Sequence, residues 1–500
     1  MKKKLLVLSI FLFALLIRYW HIGDIGETWD EYAYVGRGND FIRLLTKLDF
    51  KNNIWYELPD HPPLARYLYG IGSTIDVNGK LPSGKNGFDY NLFGSRSVSI
   101  LFSSLAVAIT SLIGIELFSP LVGVLAGIFM ATIPLYLGLS QLVTLESIMI
   151  FFYTLTIYLT LKFLKKRSKK MLILSGIGLG MAVSVKLTNL LIIPTIILFV
   201  VAIKYYKNHL VSHLSIYRDI GKIIVIAIVT FVILWPPLVV NPVLMITKMA
   251  GFRVHDAVPK ELFFGSFVPV PIWYFVVYFF ITTPLVLLIL FFFGVIICLR
   301  RKNWVSTSIL IWFILPFFQS FYPFKQNGLR YIVEIYAPVS IIAAVGTANV
   351  INRFTKDFLY QTLFVIGITF YFLLLLLRIA PYYLDYFNIF VGGAQNVYEH
   401  RLFNLSWWGE GQKEAAIYLS QHAQYGNKIG LLVTPLYVIP PIQGLKFEIY
   451  KSGVEYDYIV VNFLHLIELG FSTKEWSNKY GLVYSVNADG AQIVQVYKRK

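Results

Sequence analysis

The chain opens Met1-Lys2-Lys3-Lys4-Leu5-Leu6-Val7-Leu8-Ser9-Ile10-Phe11-Leu12-Phe13-Ala14-Leu15-Leu16-Ile17-Arg18-Tyr19-Trp20-His21, and the reading of this stretch decides the fold. A basic start followed by an apolar run resembles a signal peptide, but no small-residue cleavage site follows it. Arg18-Tyr19-Trp20-His21 instead has the character of a membrane–water interface. Residues 5–20 therefore read as a retained first span. Ten more apolar runs follow, near 93–118, 121–138, 141–163, 171–185, 187–203, 220–240, 271–299, 303–322, 329–350 and 358–380. With 57% of residues hydrophobic and 14% charged, the composition fits a polytopic membrane protein and no soluble domain of this size.

The formal net charge of +17 would point to nucleic acid in a soluble protein, so it has to be sorted by loop. One alternate set holds Lys2 to Lys4, the bases of 162–170, Lys204, Lys207, Arg218, Lys222, Arg300, Arg301, Lys302, Arg353 and Lys356. Those are eighteen bases against two acids, Asp219 and Asp357. By the positive-inside bias that face is cytoplasmic. Residues 21–91, on the other side, carry ten acids and seven bases. The charge thus reports topology, and nucleic acid is excluded as a partner. The expectation is a plasma-membrane protein with its N-terminus cytoplasmic and its C-terminus extracytoplasmic. A single cysteine, Cys298, lies in an apolar run, which leaves no internal disulfide and no Cys-based metal site.

Two regions follow from the pattern. Residues 1–380 are expected to form an α-helical membrane domain of eleven spans. Its outer loop 21–92 contains apolar-periodic pieces at Phe41–Leu48 and Leu64–Tyr69 that read as amphipathic surface helices. Residues 381–500 are expected to form a small extracytoplasmic α/β domain. Its elements are a helix over Gln412–His422 and strands over Lys428–Thr434, Tyr456–Asn462, Leu482–Val486 and Gln492–Tyr497. The last two strands are joined by the turn Asn487-Ala488-Asp489-Gly490.

Ionisable groups at the edges of spans cost about 2.5–3.5 kcal/mol each on insertion scales, so each one retained needs a reason. Asp30 and Glu31 follow the first span, Glu146 opens the fourth, Lys186 lies between the fifth and sixth, and Lys325 and Arg330-Tyr331 precede the tenth. All fall on the outer face. Taken singly, each has an ordinary role: Glu146 pairing with a loop cation, Lys186 snorkelling, Arg330 anchoring a span, His61-Pro62-Pro63 forming a rigid turn. Taken together they line a cavity suited to transfer from a lipid-linked phosphosugar. One carboxylate takes the proton of an acceptor hydroxyl or amine, and the cations hold the phosphate and stabilise its leaving charge. A second carboxylate orients the acceptor or binds a divalent cation, with Asp30 and Glu146 as the ligands available to magnesium, manganese or zinc. No Gly-rich phosphate loop is present, consistent with a donor that is not a nucleotide. Trp407-Trp408 reads as a packing patch or a sugar-stacking surface, and His255 with Asp256 supplies too few ligands for a metal site. A transporter or flippase for lipid-linked saccharide is the competing class. It calls for charges near the midplane and related halves, whereas here the charges gather at one face.

These residues also carry a resemblance. Asp30-Glu31 with Tyr34, then His61-Pro62-Pro63-Leu64, resembles the signature of GT-C glycosyltransferases in the branch of protein O-mannosyltransferases and aminoarabinose transferases, glycosyltransferase family 39. Thr144-Leu145-Glu146 before Phe151-Phe152, Lys186, Gly328-Leu329-Arg330-Tyr331 before Ala337-Pro338, and Trp408-Gly409-Glu410-Gly411 extend it over residues 5–425. The resemblance implies a polyprenyl-phosphate sugar donor carrying a mannose-like hexose, inversion at the anomeric carbon, and a protein, lipid or glycan acceptor. It implies Asp30 as catalytic base with Glu31 beside it and Glu146 as second acid. Lys186 and Arg330 would be the phosphate-side cations, and His61 would shape the loop near the donor.

Overall fold

The computed structural model describes all residues except 1, 58–59, 77–91, 208–212, 256–259, 322–326, 433–438, 440–441 and 465–477. The chain is predominantly helical, as apolar runs must be where no water satisfies the backbone. Among the described residues six helical stretches are long and apolar enough to cross a membrane: Phe93–Leu117, Leu145–Lys166, Leu187–Tyr206, Trp304–Phe321, Gly328–Phe354 and Phe358–Ile379. Two further pairs qualify only as bent units. Pro120–Thr132 and Pro134–Gln141 meet at 64°, and Tyr274–Thr282 and Leu285–Arg301 at 116°. Proline causes both breaks, since Pro134 and Pro284 lack a backbone N–H and hold the preceding Ile133 and Thr283 in extended conformations. The runs at 5–20, 171–185 and 220–240 lie in Lys2–Tyr19, Lys169–Val185 and His213–Leu234. These helices are short or carry several charges, so among the described residues length and composition alone mark six to eight spans, against eleven apolar runs in the sequence.

Gly328–Phe354 forms the centre of the membrane domain and is almost wholly buried, whereas Phe358–Ile379 exposes an apolar surface on the periphery. The Tyr336–Phe354 helix packs on Leu285–Arg301 and on Pro120–Thr132. Glycine permits the first of these contacts. A Cβ on Gly294 would lie 1.9 Å from the Ile342 carbonyl oxygen, so the two backbones touch, as small residues allow inside membranes.

Residues after the first helix form a cap instead of an open loop. Trp29–Thr46 and Leu64–Gly72 are helices that pack on each other, and the second also packs on Phe93–Leu117. Their crossing is another backbone contact: a Cβ on Gly38 would sit 2.4 Å from the Arg66 carbonyl oxygen, and one on Gly70 2.3 Å from that of Gly38.

The C-terminal part is a five-stranded sheet in the order Lys446–Ile449, Lys428–Leu432, Tyr458–Asn462, Ala491–Arg499, Tyr480–Ala488. The first three strands are parallel and the last two antiparallel to their neighbours. The hairpin turns through Asp489 and Gly490, both with positive φ, as a tight two-residue connection requires. The edge strand Lys446–Ile449 was not expected from its sequence. Helix Gln412–His422 packs against the hairpin.

Gly70→Ala should therefore destabilise the cap. Its methyl has no room beside the Gly38 backbone, and overpacking of this kind costs about 1–3 kcal/mol. A lowered thermal midpoint of the purified protein checks this; a midpoint equal to wild type would show that the two helices can separate freely.

Candidate active site

The first turn of Trp29–Thr46 carries Asp30 and Glu31, placed where acidic residues complement the helix dipole. Adjacent helical residues point about 100° apart, and the two carboxylates go to different places. Glu31 is fully buried and takes a two-pronged contact from Arg96, Nε at 2.8 Å and Nη2 at 2.7 Å. It also accepts the backbone N–H groups of Val143 at 2.9 Å and Thr28 at 3.0 Å. Arg96 in turn donates to the carbonyls of Ile22, Ile25 and Gly26. With its oxygens so engaged, Glu31 ties the cap to the Phe93–Leu117 helix and to the segment that precedes Leu145–Lys166. Its environment is that of a scaffold residue and not of the catalytic group expected beside Asp30.

Asp30 remains 36% exposed at its side chain and pairs with Arg330 Nη2 at 2.7 Å. Arg330 Nε reaches Glu146 Oε1 at 3.1 Å, and Lys186 Nζ meets the same oxygen at 3.1 Å. Four residues from four distant segments thus form one chain of alternating charge, in which Glu146, Lys186 and Arg330 are buried. Helix ends explain the placement: Glu146 lies in the first turn of Leu145–Lys166, and Lys186 caps the C-terminus of Lys169–Val185. Arg330 follows a left-handed turn at Asn327 and Gly328. That turn is clamped from below, because Asn327 N–H donates to Glu261 at 2.6 Å and Gly328 N–H to the Tyr274 hydroxyl at 2.9 Å. Aromatic faces cover both cations. Tyr331 lies 4.6 Å from Lys186 Nζ, and Trp408 4.1 Å from the Arg330 guanidinium carbon.

His61, Pro62 and Pro63 lead into the Leu64–Gly72 helix beside this chain. Burial pushes the His61 imidazole down to about 4, against the opposing pull of Asp60, and Lys186 and Arg66 add to the lowering. The ring is neutral at pH 7. Burial raises Asp60, but the ion pair with Arg66 outweighs it and holds the carboxyl below its usual range. Tyr34, one turn on from Asp30, is raised well above its ordinary value by burial and by the Asp30 charge. Lys325 and Asp256 lie outside the described residues, as does the His255 side chain.

Several functional neighbours were not foreseen. Arg96 had a signal, being an arginine inside an apolar run, where an unpaired charge is costly. Asp60 and Arg66 flank the quoted His61 motif. Glu261 and Tyr274 had none, because their role depends on a loop packing beneath them. Among the described residues no group of three or more His, Cys, Asp or Glu is placed to hold a metal ion. The space between Asp30 and Glu146 is bridged by the Arg330 guanidinium, so these two carboxylates do not offer a divalent cation a vacant pair of ligands.

Residues 8–246 match the family model described as dolichyl-phosphate-mannose-protein mannosyltransferase. That match takes in a little under half of the 500-residue chain. The fold is similar to a crystal structure of ArnT from Cupriavidus metallidurans bound to undecaprenyl phosphate, with a TM-score of 0.53 and 14% identity over 98% of this chain and 97% of that one. The apo form of the same protein gives 0.52 at 12% identity with the same coverage. An oligosaccharyltransferase, AglB from Archaeoglobus fulgidus in complex with an inhibitory peptide and a dolichol-phosphate, gives 0.49 at 14% identity over 91% of this chain and 62% of that one. No curated protein matches the chain significantly.

Two outcomes follow from the geometry. Arg96→Leu should lower the thermal midpoint strongly, because stranding a buried carboxylate costs about 3–5 kcal/mol, while Asp30→Asn, at a half-exposed position, should leave it nearly unchanged. Equal shifts for the two would contradict the division of labour between Glu31 and Asp30. Glu27 supplies a pH test. Burial, then the Glu31 charge, raises its carboxyl to about 9, so the folded protein keeps a proton that the unfolded chain releases above its ordinary carboxylate pKa. That contribution is complete at acid pH and is lost as pH rises through about 9. The stability of Glu27→Gln relative to wild type should therefore increase from pH 5 to pH 9, and a flat difference would contradict the assignment.

Proposed function

We propose that this enzyme transfers a mannose-like hexose from a polyprenyl phosphate to an acceptor hydroxyl or amine, with inversion at the anomeric carbon. The observation that carries the reading is the charge chain Asp30, Arg330, Glu146, Lys186, accessible at its Asp30 end and buried at the other. The donor sugar rests on the description of the matching family. The acceptor is a protein, lipid or glycan.

Asp30 is the base. It accepts the acceptor proton as the acceptor oxygen or nitrogen bonds to the anomeric carbon, and the bond from that carbon to the phosphate oxygen breaks with its electron pair going to the phosphate. Polyprenyl phosphate therefore leaves with one more negative charge than it had as a diester. Arg330 and Lys186 face that charge, and a preorganised pair of cations in a buried site stabilises it far more than water does. Glu146 holds both cations through one oxygen, and the neutral His61 and buried Pro62 and Pro63 shape the wall beside them. Tyr331 packs against Lys186.

The proposed orientation places this site and the sheet domain on the extracytoplasmic side, opposite the loops rich in lysine and arginine. There the enzyme meets donor lipid within the membrane and acceptors beyond it. Arg330 supplies the positive charge between the carboxylates, so the proposed reaction needs no divalent ion.

Asp30→Asn should reduce turnover about 10²–10⁴-fold, the usual worth of a general base, with expression and thermal midpoint retained. Wild-type turnover in that variant would remove Asp30 from the mechanism. Treatment with EDTA should leave the initial rate of the purified enzyme unchanged; loss of activity restored by magnesium, manganese or zinc would contradict the metal-free mechanism.

A further inference from the structure

The membrane domain and the sheet domain meet at a tight turn over residues 406–410, and that turn delivers an indole to the reacting end of the site. Ser406 and Gly409 both have positive φ. Ser406 Oγ donates to the Glu410 carbonyl at 2.9 Å, and Gly409 N–H to the Ser406 carbonyl at 3.2 Å. Two buried carboxyls fasten it: Asp385 accepts Ser406 N–H at 2.6 Å, and Glu410 accepts Trp408 N–H at 3.1 Å. Asn462, at the end of the Tyr458–Asn462 strand, donates to Ser406 Oγ at 2.8 Å. The turn is thereby attached to the middle of the sheet.

Trp408 contacts Arg330 and the residue that precedes Asp30. Its carbonyl accepts the N–H of Trp29, the residue before Asp30, at 3.2 Å. Its ring covers the Arg330 guanidinium at 4.1 Å, and it is 2% exposed. An indole face fixes the plane of a guanidinium and excludes water from one side of it. The plane of Arg330 determines whether Nε and Nη2 can reach Glu146 and Asp30 at once.

We propose that Trp408 is a positioning residue through which the sheet domain holds Arg330 in the orientation that receives the donor phosphate. The inference rests on the reading of Arg330 as a phosphate-side cation. It gives the sheet domain a part in donor binding, since the strand bearing Asn462, the turn and the indole form a continuous connection to the guanidinium.

The test is binding of a short-chain polyprenyl phosphate to the full-length protein in detergent, which can be measured in inactive variants. Trp408→Leu should weaken binding about tenfold, and Trp408→Phe should restore most of the loss. In an Arg330→Gln background Trp408→Leu should cost nothing further, because the ring then has no guanidinium to orient. Wild-type binding by Trp408→Leu, or an equal loss in both backgrounds, overturns the proposal by reducing Trp408 to packing. Should Trp408→Leu fail to fold, Asn462→Ala loosens the turn without touching the ring. Its loss should likewise vanish in the Arg330→Gln background, and an equal loss in both overturns the proposal. Wild-type binding by Arg330→Gln alone counts instead against the assignment of Arg330 to the phosphate.

Discussion

The guanidinium of Arg330 is the interaction on which the site depends. It spans Asp30 and Glu146, residues on different helices, and shares Glu146 with Lys186. Two carboxylates, one guanidinium and one ammonium balance one another, which is how charges persist where an isolated one would be too costly. In the proposed reaction a donor phosphate entering this site would compete with carboxylates already present. Arg330 is thus both a structural bridge and the group best placed to exchange partners. Asp30, the exposed end of the chain, is the partner it can release at least cost.

The fold builds this arrangement from ends of helices. Glu146 begins one helix, Lys186 ends another, Asp30 lies in the first turn of a third, and Arg330 follows a clamped left-handed turn. Each terminus has unpaired backbone groups and a partial charge that suits the side chain there. The Glu31–Arg96 pair and the glycine crossing of Gly38 and Gly70 fix the cap that carries Asp30. Proline breaks bend two apolar runs, which lets helical segments turn within the domain without passing straight through it.

Much of this was legible in the chain itself. Asp30, Glu146, Lys186 and Arg330 stood out because ionisable residues at the edges of apolar runs need partners, and the structure supplies those partners from one another. Charge sorting could not distinguish Asp30 from Glu31, since adjacency says nothing about which carboxylate enters the cavity. The bends at Pro134 and Pro284 were also beyond a reading of apolar runs, which records hydrophobicity but not direction. Glu261, Tyr274 and Ser406 act through backbone contacts made by loops, and no sequence pattern marks those. The sheet was clearer: alternating apolar strands and the Asp489-Gly490 turn indicated it, while the short edge strand Lys446–Ile449, mostly exposed, has too little apolar pattern to be recognised.

The most direct measurement of the central claim incubates the purified enzyme with a panel of polyprenyl-phosphate sugars and an acceptor, following free polyprenyl phosphate and the anomeric configuration of the product. The account predicts release of polyprenyl phosphate from a mannose-like donor, with product of inverted configuration. Cleavage of no donor in the panel, or retention of configuration, would contradict it.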